Sequence, residues 1–197
     1  MKKEKKEFIF RNPEGFAGVF ITEIKNALAD QVAESIIFEV KEDETRQLDL
    51  NELFPAQRSF PQRELIDAGQ YCLYDQIQLD SEVERHFVSK VMADGKVALF
   101  FKFPPAFKIR LPRLIGNYNP DWGVVRRRED GKLTIHLVRE TKGGDIDTLR
   151  FPHEKRKIRG AQAYFDALGI DYRQIQPDFE GWWMLVEEIP TQNRLTK

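Results

Sequence analysis

Asp121 to Lys142, DWGVVRRREDGKLTIHLVRETK, is the stretch that decides the fold. Two strand-like runs, Trp122 to Arg128 and Leu133 to Glu140, flank Asp130-Gly131, a dipeptide suited to the two-residue loop of a β-hairpin. With that loop, residue 129 faces 132, and counting outward in pairs brings Asp121 opposite Glu140. Directly opposed residues of an antiparallel pair have Cβ atoms about 4.5–5.5 Å apart on one face of the sheet. Two carboxylates so placed repel each other, and a cation between them relieves the repulsion. Alternation puts Lys142 two residues beyond Glu140 on the same face, while Thr141 points away and offers its backbone carbonyl.

That set of groups suits phosphodiester hydrolysis. A hard cation such as Mg²⁺, held by one or two carboxylates while keeping several waters, polarises a phosphoryl oxygen and makes water a better nucleophile. An ammonium beside it stabilises developing negative charge. The metal set expected here is Asp121, Glu140 and the Thr141 carbonyl, with Lys142 as the catalytic cation. Immediately upstream, Gly116 to Trp122 (GNYNPDW) reads as a turn in which Asn117 and Asn119 form the bend and Pro120 fixes the approach of Asp121.

Working outward, Ser81-Glu-Val-Glu84 matches a capping box, and Val83, Phe87, Val88 and Val91 give its helix one apolar stripe up to Asp94-Gly95. On that helix Glu84 has two readings, a third carboxylate turned toward the metal or simply the third residue of the capping box. A strand follows at Val97 to Phe103. A second helix runs from about Pro152 to Leu168, with Ile158, Ala161, Phe165 and Leu168 on its apolar face and Gly169 as its stop. Strands are expected at Asp171 to Gln176 and Trp182 to Glu187. Trp182 and Trp183 are most simply core residues, and His136 a packed or partly exposed one.

Residues 1–78 read as a smaller accessory region or linker, and residues 79–197 as the main domain. In the first part Phe16, Val19, Phe20, Ile24 and Leu28 recur at helical spacing and are expected to face a core. Ser35 to Val40 (SIIFEV) reads as a strand, Leu48 to Phe54 as a short helix, and Pro55 to Gly69 as a boundary or long loop.

The totals narrow the class. Of 197 residues, 41% are hydrophobic and 32% charged, the balance of a globular protein, and no apolar run approaches the roughly 20 residues that span a bilayer. MKKEKKEFIF continues into RNPEGF rather than an apolar leader, so the expected location is the cytoplasm. One cysteine and three histidines leave few zinc ligands. The formal net charge is -1. DNA phosphates would therefore be met by local patches: Lys157 first, then Arg126, Arg127 and Arg128, with Lys155, Arg156 and Arg159 nearby. A solvated charged face is the other reading of these runs.

Tyr74-Asp75, SEVERHF over 81–87, KFPPAFKI, IGNYNPDW, LVRETKG and LRFPHEKRKIRGAQAYFDAL together resemble the C-terminal PD-(D/E)XK nuclease domain of the Res subunit of type III restriction-modification enzymes. The resemblance is strong over residues 74–170 and weak before them. It implies an α/β, restriction-endonuclease-like core, a central mixed β-sheet flanked by helices, that cuts double-stranded DNA with Mg²⁺, for which Mn²⁺ is a possible substitute. Asp121 matches the family's PD aspartate, Glu140 and Lys142 its ExK, and Glu84 the glutamate of its first helix. The approach from Arg110 to Gly116 departs from the family's compact Thr-Pro-Ile-Gly and lacks the threonine.

In that family an ATP-driven translocase precedes the nuclease, and a modification methyltransferase subunit recognises the site. No G-x-x-x-x-G-K-[ST] phosphate loop occurs in this chain, so ATP would enter only through a motor domain outside it. Two alternatives stand beside this reading: a same-fold nuclease of DNA repair or mobile-element processing, and a catalytically silent module that binds DNA or a partner.

Overall fold

Two hydrophobic cores lie on opposite faces of one four-stranded sheet in the computed structural model, which describes residues 11–40, 50–57, 65–128, 134–141, 151–175 and 180–184. The elements in chain order are α1 (Pro13–Ser35), α2 (Leu50–Leu53), β1 (Leu65–Asp67), β2 (Gln76–Gln78), α3 (Glu82–Ala93), β3 (Val97–Lys102), β4 (Trp122–Arg127), β5 (Thr134–Thr141), α4 (Pro152–Ala167) and β6 (Asp171–Ile175). The main sheet has the order β3-β4-β5-β6. Its first two pairings are antiparallel and β5-β6 is parallel, so the sheet is mixed, as expected.

The hairpin register is the one counted from the sequence. Trp122 pairs with Arg139, Gly123 with Val138 and Val124 with Leu137, through to Arg127 with Thr134. The Asp130-Gly131 loop itself lies outside the described residues. Alternation then sorts the side chains into two layers. Phe100, Trp122, Val124, Leu137 and Ile175 meet Phe87, Val88 and Val91 of α3 on one face. Val138 and Tyr172 meet Ile158, Ala161 and Phe165 of α4 on the other.

Local chemistry explains the helices. The Ser81 hydroxyl accepts the Glu84 N–H at 3.2 Å, so α3 starts where the capping box places it. Pro152 occupies the first turn of α4, where its missing N–H costs nothing, and Gly169 follows the helix with φ +66°. Leu168, expected on the buried stripe of α4, is 43% exposed because the helix ends one residue before it.

The N-terminal expectations need correction. Helix α1 exists, but Val19, Phe20, Ile24 and Leu28 are exposed rather than core, while Ala29 and Ala33 are buried. Small residues bring α1 close to α4, and the contact is fastened by Arg156, whose guanidinium meets Asp30 at 2.6 Å. Ser35–Val40 is not a strand. Ser35 ends α1, Ile36–Val40 takes no ladder partner, and Phe38 instead meets Tyr164 edge-on with ring centroids 5.4 Å apart. Within the expected loop 55–69, Leu65–Asp67 pairs antiparallel with Gln76–Gln78. Ala68 and Ile77 enter the α3-side core, so residues on both sides of position 78 share it.

Trp182 and Trp183 lie in a turn, not a strand, with Trp182 buried against Phe87 at 5.7 Å; residues 185–187 of that expectation lie outside the described residues. No helix among the described residues is long and apolar enough to cross a membrane.

Candidate active site

Beyond the last ladder pair, Trp122 with Arg139, the next residues are Asp121 and Glu140, and they line one cavity of about 190 Å³. Asn117, Tyr118 and Asn119 from the approach loop and His153, Glu154, Lys157 and Ile158 from the first turns of α4 complete its wall. Asn119 staples the loop by donating to the carbonyls of Pro104 (3.1 Å) and Phe107 (2.7 Å), and Gly116 turns it at φ +87°. The bend expected from Gly, Asn and Pro thus positions Asp121.

The two carboxylates are held differently. One oxygen of Asp121, Oδ2, accepts the Thr141 N–H and the Thr141 hydroxyl, both at 2.7 Å. The same hydroxyl accepts the indole N–H of Trp122 at 3.3 Å. The Thr141 side chain, expected to point away from the carboxylates, instead turns to Asp121 and fixes it. Glu140, only 2% exposed, accepts a hydrogen bond from the Tyr118 hydroxyl, which in turn lies 2.7 Å from that of Tyr172. Burial pushes the Tyr118 phenol well above its ordinary range, with Tyr172 and the Glu140 charge adding to it. Burial and then Glu140 do the same to Tyr172. Both phenols therefore keep their protons and remain donors.

Glu84 does not line this cavity. It is buried at the start of α3, where its Oε2 accepts the Asp80 N–H at 2.7 Å and the Lys102 ammonium at 2.8 Å. Its side chain closes the start of the helix as the capping reading expects, but on the N–H of Asp80 rather than of the cap residue Ser81, and adds an ion pair. Burial acts against the Lys102 charge, but the carboxylates of Asp80 and Glu84 outweigh it and raise its pKa.

The basic residues separate. Arg126 is 5% exposed, bonded to Asp94 at 2.7 Å and stacked on Trp183, so it does not face solvent as a DNA contact must. Arg156 and Arg159 are engaged by Asp30 and Glu34 of α1. Arg127 is exposed, Arg128 is half-buried, and Lys157 lies in the cavity wall beside the carboxylates. Lys142 and the side chain of His136 lie outside the described residues.

A family model described as "Endonuclease domain" matches residues 70–178, more than half of the chain. The chain belongs to this endonuclease-domain family. No curated protein and no solved structure matches it. The endonuclease domain takes in all four strands of the main sheet together with α3 and α4, a restriction-endonuclease-like arrangement, and its cavity stands at one end of the central β4-β5 pair.

Among the described residues no group of three or more His, Cys, Asp and Glu is poised for a metal. What the endonuclease domain offers instead is a carboxylate pair at the end of the hairpin, Asp121 and Glu140, with Glu154 and His153 on the facing wall. A carboxylate pair is the donor set with which Mg²⁺ is held by one or two carboxylates and otherwise by water.

Sequence reasoning missed Tyr118 and Tyr172. Tyr118 sits inside the quoted GNYNPDW motif, between two residues assigned to the turn, and its placement there was the available signal. Nothing in the sequence around Tyr172 distinguishes it from a core tyrosine.

Proposed function

We propose that this nuclease cleaves double-stranded DNA by Mg²⁺-dependent phosphodiester hydrolysis, with Mn²⁺ as a substitute, as the nuclease part of a type III restriction system. The observation that carries the reading is the convergence of Asp121 and Glu140 on one small cavity that Lys157 also lines. Asp121 and Glu140 would hold the ion, Asp121 oriented by Thr141 and Glu140 by Tyr118. When bound, the ion supplies charge to polarise a phosphoryl oxygen and to acidify water.

The chain's own groups do the rest. Lys157 and Asn117, at the cavity wall, meet phosphate oxygens and orient the backbone of the DNA. Lys142, two residues beyond Glu140, stabilises the charge that develops as the P–O bond breaks. The approach loop and the first turns of α4 shelter Glu140 from bulk water, and opposite charges attract more strongly in such a sheltered site than in the open solvent.

With a net charge of -1 the chain has little general attraction for DNA. This favours delivery of the duplex by an ATP-driven translocase domain, with sequence recognition left to a modification methyltransferase subunit, as the type III resemblance implies.

The test is plasmid cleavage by the full chain in Mg²⁺ or Mn²⁺, beside Asp121→Ala and Lys142→Ala. Each substitution is expected to lower the rate more than about a hundredfold, since even a residue that only supports a metal ligand commonly contributes ten- to a hundredfold. Cleavage that survives both substitutions overturns the assignment.

A further inference from the structure

Glu140 is the more deeply buried of the two carboxylates, and the two hydroxyls chained to it come from distant parts of the chain. Tyr118, in the approach loop, is 6% exposed and Tyr172, on β6, is 1% exposed. The Tyr118 hydroxyl donates to Glu140 Oε2. A phenol has one proton, so the 2.7 Å contact between the two hydroxyls has a determined direction: Tyr172 donates to Tyr118. The order is Tyr172 to Tyr118 to Glu140. The far end is clamped, because the Tyr172 ring stacks on Phe165 with centroids 5.4 Å apart and planes 7° from parallel.

From this we infer that Tyr172 and Tyr118 form a serial relay that positions the Glu140 carboxylate for the metal, an inference that rests on reading Glu140 as a metal ligand. A buried carboxylate without donors is costly and adopts whatever rotamer finds one. A carboxylate accepts at about four positions, so the Tyr118 phenol orients Glu140 without exhausting its capacity to bind an ion. Tyr172 acts on Glu140 only through Tyr118: its donation fixes the Tyr118 hydroxyl with its proton toward the carboxylate, and chained hydrogen bonds polarise one another. Both tyrosines are positioning residues and touch no reacting atom.

The test is calorimetric titration of the full chain with Mn²⁺ alone, without DNA, for the native sequence, Glu140→Gln, Tyr118→Phe, Tyr172→Phe and the double Phe variant. Tyr118→Phe is expected to weaken Mn²⁺ binding about ten- to a hundredfold, the loss that follows when a group supporting a metal ligand is removed. Tyr172→Phe is expected to weaken it less. In series, the second substitution adds nothing to the first, so the double variant matches Tyr118→Phe. A merely structural role of the tyrosines lowers melting temperature and couples the two substitutions in stability, but leaves Mn²⁺ affinity at the native value.

Native affinity in Tyr118→Phe, when Glu140→Gln has lost it, overturns the relay and leaves the ligand assignment standing. A Tyr172→Phe effect that persists undiminished in the Tyr118→Phe background also overturns it. Native affinity in Glu140→Gln overturns the ligand assignment and the relay with it. Should Tyr118→Phe fail to fold, Tyr172→Phe carries the test, and native affinity there overturns the relay.

Discussion

Arg126 and Lys157 began as the same kind of residue, a cation in a basic run beside the site, and the fold gives them opposite roles. The Arg126 guanidinium is buried between Asp94 and the Trp183 ring, whereas Lys157 stands at the cavity wall. Arg126→Ala leaves the Asp94 carboxylate without its partner, and the expected loss in urea unfolding is about 3–5 kcal/mol, as for other broken buried pairs. The salt dependence of DNA binding should not change with it. Lys157→Ala should do the reverse, keeping stability while reducing the slope of log K against log salt by about one. A stable Arg126→Ala with a reduced slope would return Arg126 to the DNA surface. The sequence could not make this distinction, because the residue that claims Arg126 lies 32 positions away. Glu84 is a similar case: its capping role is local and was legible, while its Lys102 partner comes from β3.

At the level of elements, the β4-β5 hairpin was readable because its register depends on a short loop and a period of two, both local properties. Its side-chain consequences also reach β3. Gly123 pairs with Phe101, and a Cβ at Gly123 would stand 2.4 Å from that ring. Phe101 is itself hemmed in by Phe54 and Phe103, at 5.3 and 5.0 Å between centroids, so it has little room to swing aside. Gly123→Ala is therefore expected to destabilise the fold by about 1–3 kcal/mol, the usual cost of overpacking, measured by urea unfolding. An unchanged midpoint would show that the ring yields freely. The elements that sequence misjudged are those whose state depends on a distant partner. SIIFEV has strand-forming residues but pairs with no strand among the described residues, and β1 and β2, three residues each, are too short to show a period. The apolar spacing in α1 correctly gives a helix, yet it is the alanines and Arg156, not the large side chains, that dock it.

For the molecule as a whole, the shifted groups define where stability should fail. Tyr118 and Tyr172 have folded pKa values above their ordinary 10.0, and Lys102 above 10.5. Above about pH 10 the unfolded chain therefore releases protons that the folded chain retains, and stability falls as pH rises. Arg139, fully buried and pushed down by desolvation to about 10, works in the opposite direction, one group against three. At the acid end Asp30, held below 3.8 by its hydrogen bond to Arg156, supports the α1-α4 contact until pH falls below that value. Stability followed from pH 7 to 11 should decline above 10, and the double Phe variant of the tyrosines should flatten that decline. An equal decline in the variant would remove the tyrosines from the account.

What the sequence determined by itself was everything carried by local spacing. It set the starts of α3 and α4, the hairpin register, and the arrival of Asp121 and Glu140 just beyond the last hairpin pair, because caps, turns and alternation are properties of a few consecutive residues. Tertiary structure alone decided which charges are spent on the interior and which meet the cavity. It also brought Tyr172 to Tyr118 and Glu140, because the parallel pairing of β6 with β5 is made only after α4 has crossed between them. Long-range pairing of that kind leaves no period in the chain.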